Sequence, residues 1–150
     1  MYFYYPHRSF LDYFDYDKKK AVKILKSIKS NGGKIGLITD GRSITQRNKL
    51  KALRIEKYFD LLIISSEIGE SKPSSKAFLK VMNELPAKEY FYIADNFKKD
   101  FIAPNKLNWQ TIGIIDSGKN IHSNAYENQE REQLPRHLLY KLKEIKINNG

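Results

Sequence analysis

Four short apolar runs constrain this chain more than any other feature: Lys34–Thr39 (KIGLIT), Leu61–Ser65 (LLIIS), Tyr90–Ala94 (YFYIA) and Gln110–Ile115 (QTIGII). Each run is continuously apolar rather than alternating. A strand of that kind is buried on both faces, which is the signature of a parallel sheet covered by helices on both sides. Segments with helical spacing separate the runs, so strands and helices alternate along the chain. The expected fold is therefore a three-layer, Rossmann-like α/β domain with a mostly parallel sheet.

The helical segments carry their own punctuation. Over Asp17–Ser30, Ala21, Val22, Ile24, Leu25 and Ile28 form one apolar face, and Lys18, Lys19, Lys20, Lys23 and Lys26 largely cover the other. Asn31-Gly32-Gly33 ends it, because Asn and Gly accept the left-handed conformation. Ser43 is expected to cap a helix over Ile44–Leu53. A third helix is expected over Ser75–Glu84, with Pro73 near its first turn. A short one is expected over Phe101–Leu107, disturbed at Pro104. Residues 117–132 read as polar loop, and Leu134–Ile147 as either a helix or a strand followed by a helix. No repeat or domain boundary interrupts the 150 residues, so one domain is expected, with 117–150 as a C-terminal extension.

Composition narrows the function classes. There is no cysteine, which excludes disulfides and thiolate metal sites. Met1 is followed by YFYYPHRSF, unlike a signal peptide, and no apolar stretch approaches a bilayer span. A cytoplasmic location without a membrane partner is expected. The formal net charge of +10 would suit a polyanion. The lysines are spread along the chain, however, so nucleic acid is not the expected partner. His7, His122 and His137 are too far apart in sequence to suggest a metal cluster.

Chemistry-bearing residues sit where three of the apolar runs end. The first run ends in Thr39-Asp40-Gly41, a hydroxyl beside backbone N–H groups that can hold a phosphate oxygen. The second leads to Lys72-Pro73 at a helix start, where a fixed ammonium can neutralise charge on a phosphoryl group. The third ends at Asp95, with Asp100 five positions later, a pair of carboxylates suited to a hard cation such as Mg²⁺. The same residues also read as a capped helix start with a solvated first-turn acid. Their order on successive strands favours a site, because ligands of open α/β sheets bind beyond the carboxyl ends of strands.

These motifs resemble those of the haloacid dehalogenase-like (HAD) hydrolase superfamily, most of whose members are phosphatases. ITDGRSITQRNKLKALRIEKYFD is similar to the family's second motif, with Thr39 at the phosphate-binding Ser/Thr position. ESKPSSKAF is similar to the third, with Lys72 as its lysine. YIADNFKKDF is similar to the fourth, with Asp95 and Asp100 as Mg²⁺ ligands and Ala94 replacing the common Gly. APNKLNWQTIGI matches the usual segment that follows. The resemblance covers roughly Asp17–Ile115.

It also implies what is missing. The family begins with an apolar strand ending in DxDx(T/V), whose first Asp attacks phosphorus and whose second acts as general acid/base. Phe14-Asp15-Tyr16-Asp17 is the only similar stretch here, which makes Asp15 the sole nucleophile candidate. Lys18 and Lys19 stand where Gly and Thr are typical, and the residues before it make a poor buried strand. The preferred reading is that residues 1–16 resemble a segment returning from an inserted cap. The expected function is then a phosphatase-type core acting on a phosphorylated small molecule, inactive alone, with Thr39, Asp40, Gly41 and Lys72 holding phosphate. The alternative is a non-catalytic relative that binds a phosphorylated ligand or a protein.

In the family the missing strand would be central. Leaving its place empty would cost about 1–3 kcal/mol for each unpaired buried backbone group. The slot is therefore expected to be filled by the chain's own Tyr2–Tyr5, by a strand exchanged within a homodimer, or by a partner chain.

Overall fold

The computed structural model describes residues 2–4, 10–115, 129–140 and 144–147. A six-stranded sheet runs through it, in the order β3-β2-β1-β4-β5-β6 and parallel throughout. The strands are β1 (Tyr2–Tyr4), β2 (Gly36–Thr39), β3 (Leu61–Ile64), β4 (Phe91–Ala94), β5 (Gln110–Ile114) and β6 (His137–Leu139). The four apolar runs supply β2 to β5, as their pattern requires.

The central position is occupied by the chain's own aromatic start. Phe3 stands opposite Leu37 of β2 on one side and Ile93 of β4 on the other. Backbone groups that an empty slot would leave unpaired are therefore used in two ladders. Tyr5, the last residue of the expected strand, lies outside the described residues.

Helix α1 spans Phe10–Ser30 and begins seven residues before the expected Asp17. No Gly or Pro interrupts Phe10–Ser30, and Pro6 lies ahead of it, so nothing halts the helix at the acids Asp12, Asp15 and Asp17. Its end follows the expected logic: Gly32 takes φ 75° and Gly33 N donates to Ile28 O at 2.9 Å. Helix α2 spans Ser43–Leu53. Ser43 is its first residue rather than its cap, because its hydroxyl donates to Glu67 instead. A single-turn helix, α3 (Ser65–Ile68), follows β3 directly. Helix α4 covers Lys76–Glu84, three residues beyond Pro73, and the Lys72–Pro73 bond is cis. Helix α5 covers Ile102–Lys106. Pro104 does not disturb it, since first-turn N–H groups have no helical partner to lose. Leu134–Ile147 supplies β6, which is a strand and not a helix at that point.

The sheet separates two apolar layers. On one face Ala21, Ile24, Leu25 and Ile28 of α1 and Leu50 of α2 pack on Leu37, Ile93 and Ile114. On the other, Phe78 and Val81 of α4 and Ala103 of α5 pack on Ile38, Ile63 and Tyr92. Phe78 touches Tyr92 edge-on at 4.9 Å, and Trp109 at 5.4 Å. Leu37 and Ile38, or Ile93 and Tyr92, are neighbours that face opposite layers, which explains why these runs are apolar without alternation. Among the described residues no helix is long and apolar enough to cross a membrane.

Candidate functional site

All six strands are parallel, so their carboxyl ends share one edge. Thr39 is the last residue of β2 and is buried. Asp40 and Gly41 follow it. Lys72 arrives from the loop beyond α3, and Asp95 follows β4 at once. The structure thus brings Thr39, Asp40, Gly41, Lys72, Asp95 and Asp100 to the same edge. Asp15 is not among them: it lies within α1, not at a strand end.

Lys72 and Asp100 are the buried centre of the edge. Lys72 Nζ lies 3.4 Å from Asp100 Oδ1, and both side chains are fully buried. Burial pushes the Lys72 ammonium down to about 7, against the pull of Asp100 and Asp40. Burial likewise pushes the Asp100 carboxyl up to about 7, against Lys72 and Lys99. Each group keeps its charge chiefly because the other is there. A turn fixes Asp100: its backbone N donates to Asn96 O at 3.0 Å, and Asn96 N donates back to Asp100 Oδ2 at 3.3 Å. Asn96 Oδ1 accepts from Lys98 N at 3.1 Å, so Asn96 caps this turn. Helix α5 starts only after it.

Asp40 is held from two directions. Its Oδ2 accepts from Lys99 Nζ at 2.7 Å, and its Oδ1 from Lys72 N at 3.4 Å. The loop 39–43 is also pinned by α3: Gly41 N donates to Ser65 Oγ and Ser43 N to Ser66 Oγ, both at 2.9 Å. Gly41 has φ 137°, and a Cβ there would meet Gln46 Nε2 at 2.7 Å. Only glycine fits that turn without strain. The Gly41 N–H, expected from sequence as a phosphate donor, is spent on Ser65. Lys99, Ser65, Ser66 and Gln46 were missed by sequence reasoning. The double serine after LLII and the lysine directly before Asp100 were the available signals, and each resembles an ordinary surface residue.

Asp95 and Asp100 match Mg²⁺ in donor type. They supply two protein ligands, since no group of three His, Asp or Glu suited to a metal ion occurs among the described residues, and the rest of a Mg²⁺ shell would fall to water and substrate oxygens.

The chain is similar to known proteins over much of its length. The family model for haloacid dehalogenase-like hydrolases matches residues 15–114. The chain is 35% identical over 128 residues to glyceraldehyde 3-phosphate phosphatase of Methanocaldococcus jannaschii, covering 83% of this chain and 53% of that protein. It is 47% identical over 58 residues to the pyrimidine 5'-nucleotidase YjjG of Escherichia coli, covering 39% of this chain and 25% of that one. The chain spans about half the length of the first of these relatives. Among solved structures, the HAD-hydrolase YfnB of Bacillus subtilis, bound to magnesium, superposes with a TM-score of 0.66 at 19% identity, covering 84% of this chain and 52% of that one. A HAD phosphatase from Thermococcus onnurineus gives a TM-score of 0.66 at 22% identity, over 81% and 52% of the respective chains. At such identities these two likenesses speak for the fold alone.

Proposed function

The chain belongs to the haloacid dehalogenase-like hydrolase family, and from that premise we propose that it is the phosphate-binding core of a phosphatase-type enzyme, without turnover of its own. The observation that carries the reading is the fully buried Lys72–Asp100 pair at the carboxyl edge of the sheet. A buried ammonium has been desolvated in advance, so it interacts strongly with a phosphoryl oxygen placed beside it. The Thr39 hydroxyl and the 39–43 loop would orient that phosphate. Lys72 would offset the charge that grows on its oxygens. Asp95 and Asp100 would hold Mg²⁺, which when bound supplies further positive charge against the phosphate. A small phosphomonoester is the substrate class this edge suits, in line with the names of the curated relatives.

Among the described residues no carboxylate other than Asp40, Asp95 and Asp100 has been placed at this edge to attack phosphorus. Residues 1–11, MYFYYPHRSFL, contain none, and Asp15 stands on α1. That same observation favours a second reading for the isolated chain, a non-catalytic binder of phosphorylated ligands. In both readings Mg²⁺ binding should be weak, because two carboxylates leave most of an octahedral shell to water. Calorimetric titration with Mg²⁺ checks this: sub-micromolar affinity would mean that a third ligand, with Asp15 the first suspect, completes the site.

A further inference from the structure

Asp40 follows β2, and Lys99 lies in the loop after β4. The strand between β2 and β4 is β1. The ion pair from Lys99 Nζ to Asp40 Oδ2, at 2.7 Å, therefore joins the loops on either side of the central strand, at the edge where an open α/β sheet binds its ligand. The neighbouring lysine behaves differently: Lys98 is exposed, whereas Lys99 is half-buried. The Lys99 side chain keeps 30% of its exposure where that of Lys72 has none, so it is partly accessible from solvent.

We propose that Lys99 is a second phosphate-binding cation of this site, which leaves the Asp40 carboxylate to meet the phosphate of a bound phosphomonoester. The inference rests on the reading of this edge as a phosphate site. A phosphate dianion carries more charge than a carboxylate and offers more acceptor oxygens, so the exchange replaces one ion pair with a stronger one. The flexible stem and three donors of lysine let Nζ swing without moving the backbone. Asp40 does not lose all its partners when Lys99 leaves, because Lys72 N still donates to its other oxygen. Asp40 thus acts as a competitor that sets how much oxyanion binding costs.

The test is calorimetric titration of the full chain with inorganic phosphate. Lys99→Met should weaken binding about fivefold or more, and Lys99→Arg should restore much of it. Asp40→Asn should tighten binding about two- to fivefold, the range expected from removing one partly exposed competing charge. Misfolding cannot produce a gain of affinity, so this variant keeps the test decisive. Phosphate binding that is lost in Lys72→Met but unchanged in Lys99→Met would overturn the role of Lys99 and leave the phosphatase-type reading standing. Absence of phosphate binding in both the unmodified chain and Asp40→Asn would overturn the two together.

Discussion

Lys72 and Asp100 face each other across 3.4 Å with neither side chain reaching solvent. Such a pair is costly to bury, and each charge is tolerable only beside the other. Removing one partner should therefore hurt more than removing both. Lys72→Met should lower the unfolding free energy by about 3–5 kcal/mol. The double variant Lys72→Met/Asp100→Leu should lose clearly less than the sum of the two single changes. Urea denaturation of the four proteins checks this, and strict additivity would mean that the two groups do not depend on each other.

The central strand gives a second expectation. Phe3 is paired on both sides, so its backbone lies between two ladders. Proline there removes a donor from the middle of a sheet. Phe3→Pro should cost about 3 kcal/mol or more and promote aggregation through the edges of β2 and β4. Thermal melting and size-exclusion chromatography check it. An unchanged melt would show that the start of the chain does not hold the centre of the sheet.

Asp60 links part of the stability to pH. Its carboxylate accepts from Lys29 Nζ at 2.7 and 2.8 Å and from Ile35 N at 2.7 Å, tying the end of α1 to the start of β3. Burial pushes its pKa up, but the Lys29 hydrogen bond, the Ile35 N–H and the charges of Lys29 and Lys34 outweigh this and hold it below the ordinary 3.8. A depressed native pKa stabilises the fold above the unfolded value and loses that contribution as pH falls through the native one. Asp60→Asn should be less stable than the unmodified chain by about 1–2 kcal/mol at pH 6. The gap should shrink as pH drops below about 4. Denaturant melts across pH 6 to 3 measure it, and a gap that widens on acidification would contradict the sign.

How far the fold could be read from sequence depended on where each element lies in the sheet. Strands β2, β4 and β5 are interior, and β3, though at an edge, packs Leu62 into one apolar layer and Ile63 into the other, so the apolar runs of all four were unmistakable. The edge strand β6 has two exposed residues of three, and its residues read equally as a helix. The early start of α1 was hidden by Asp12, Asp15 and Asp17, which interrupt the apolar pattern without breaking a helix. The shared edge of Thr39, Lys72, Asp95 and Asp100 was legible because Thr39 and Asp95 stand at strand ends and Lys72 and Asp100 lie in the segments that follow such ends. Lys99 was not, because a lysine beside an aspartate looks solvated until its partner, Asp40, is brought to it from 59 residues away. Asp40 and Gly41 were read as phosphate donors, but their loop proved to be fastened by Ser65, Ser66 and Lys99.

We propose that this edge has the phosphate-binding and cation-binding parts of a phosphatase without, among the described residues, a carboxylate placed to attack phosphorus. Phosphate release from an aryl phosphate, with Mg²⁺ present, tests it most directly. The rate should be no different from that of Mg²⁺ in buffer, with the same result for Asp15→Asn. Sustained release by the unmodified chain that Asp15→Asn abolishes would contradict it and establish Asp15 as the nucleophile.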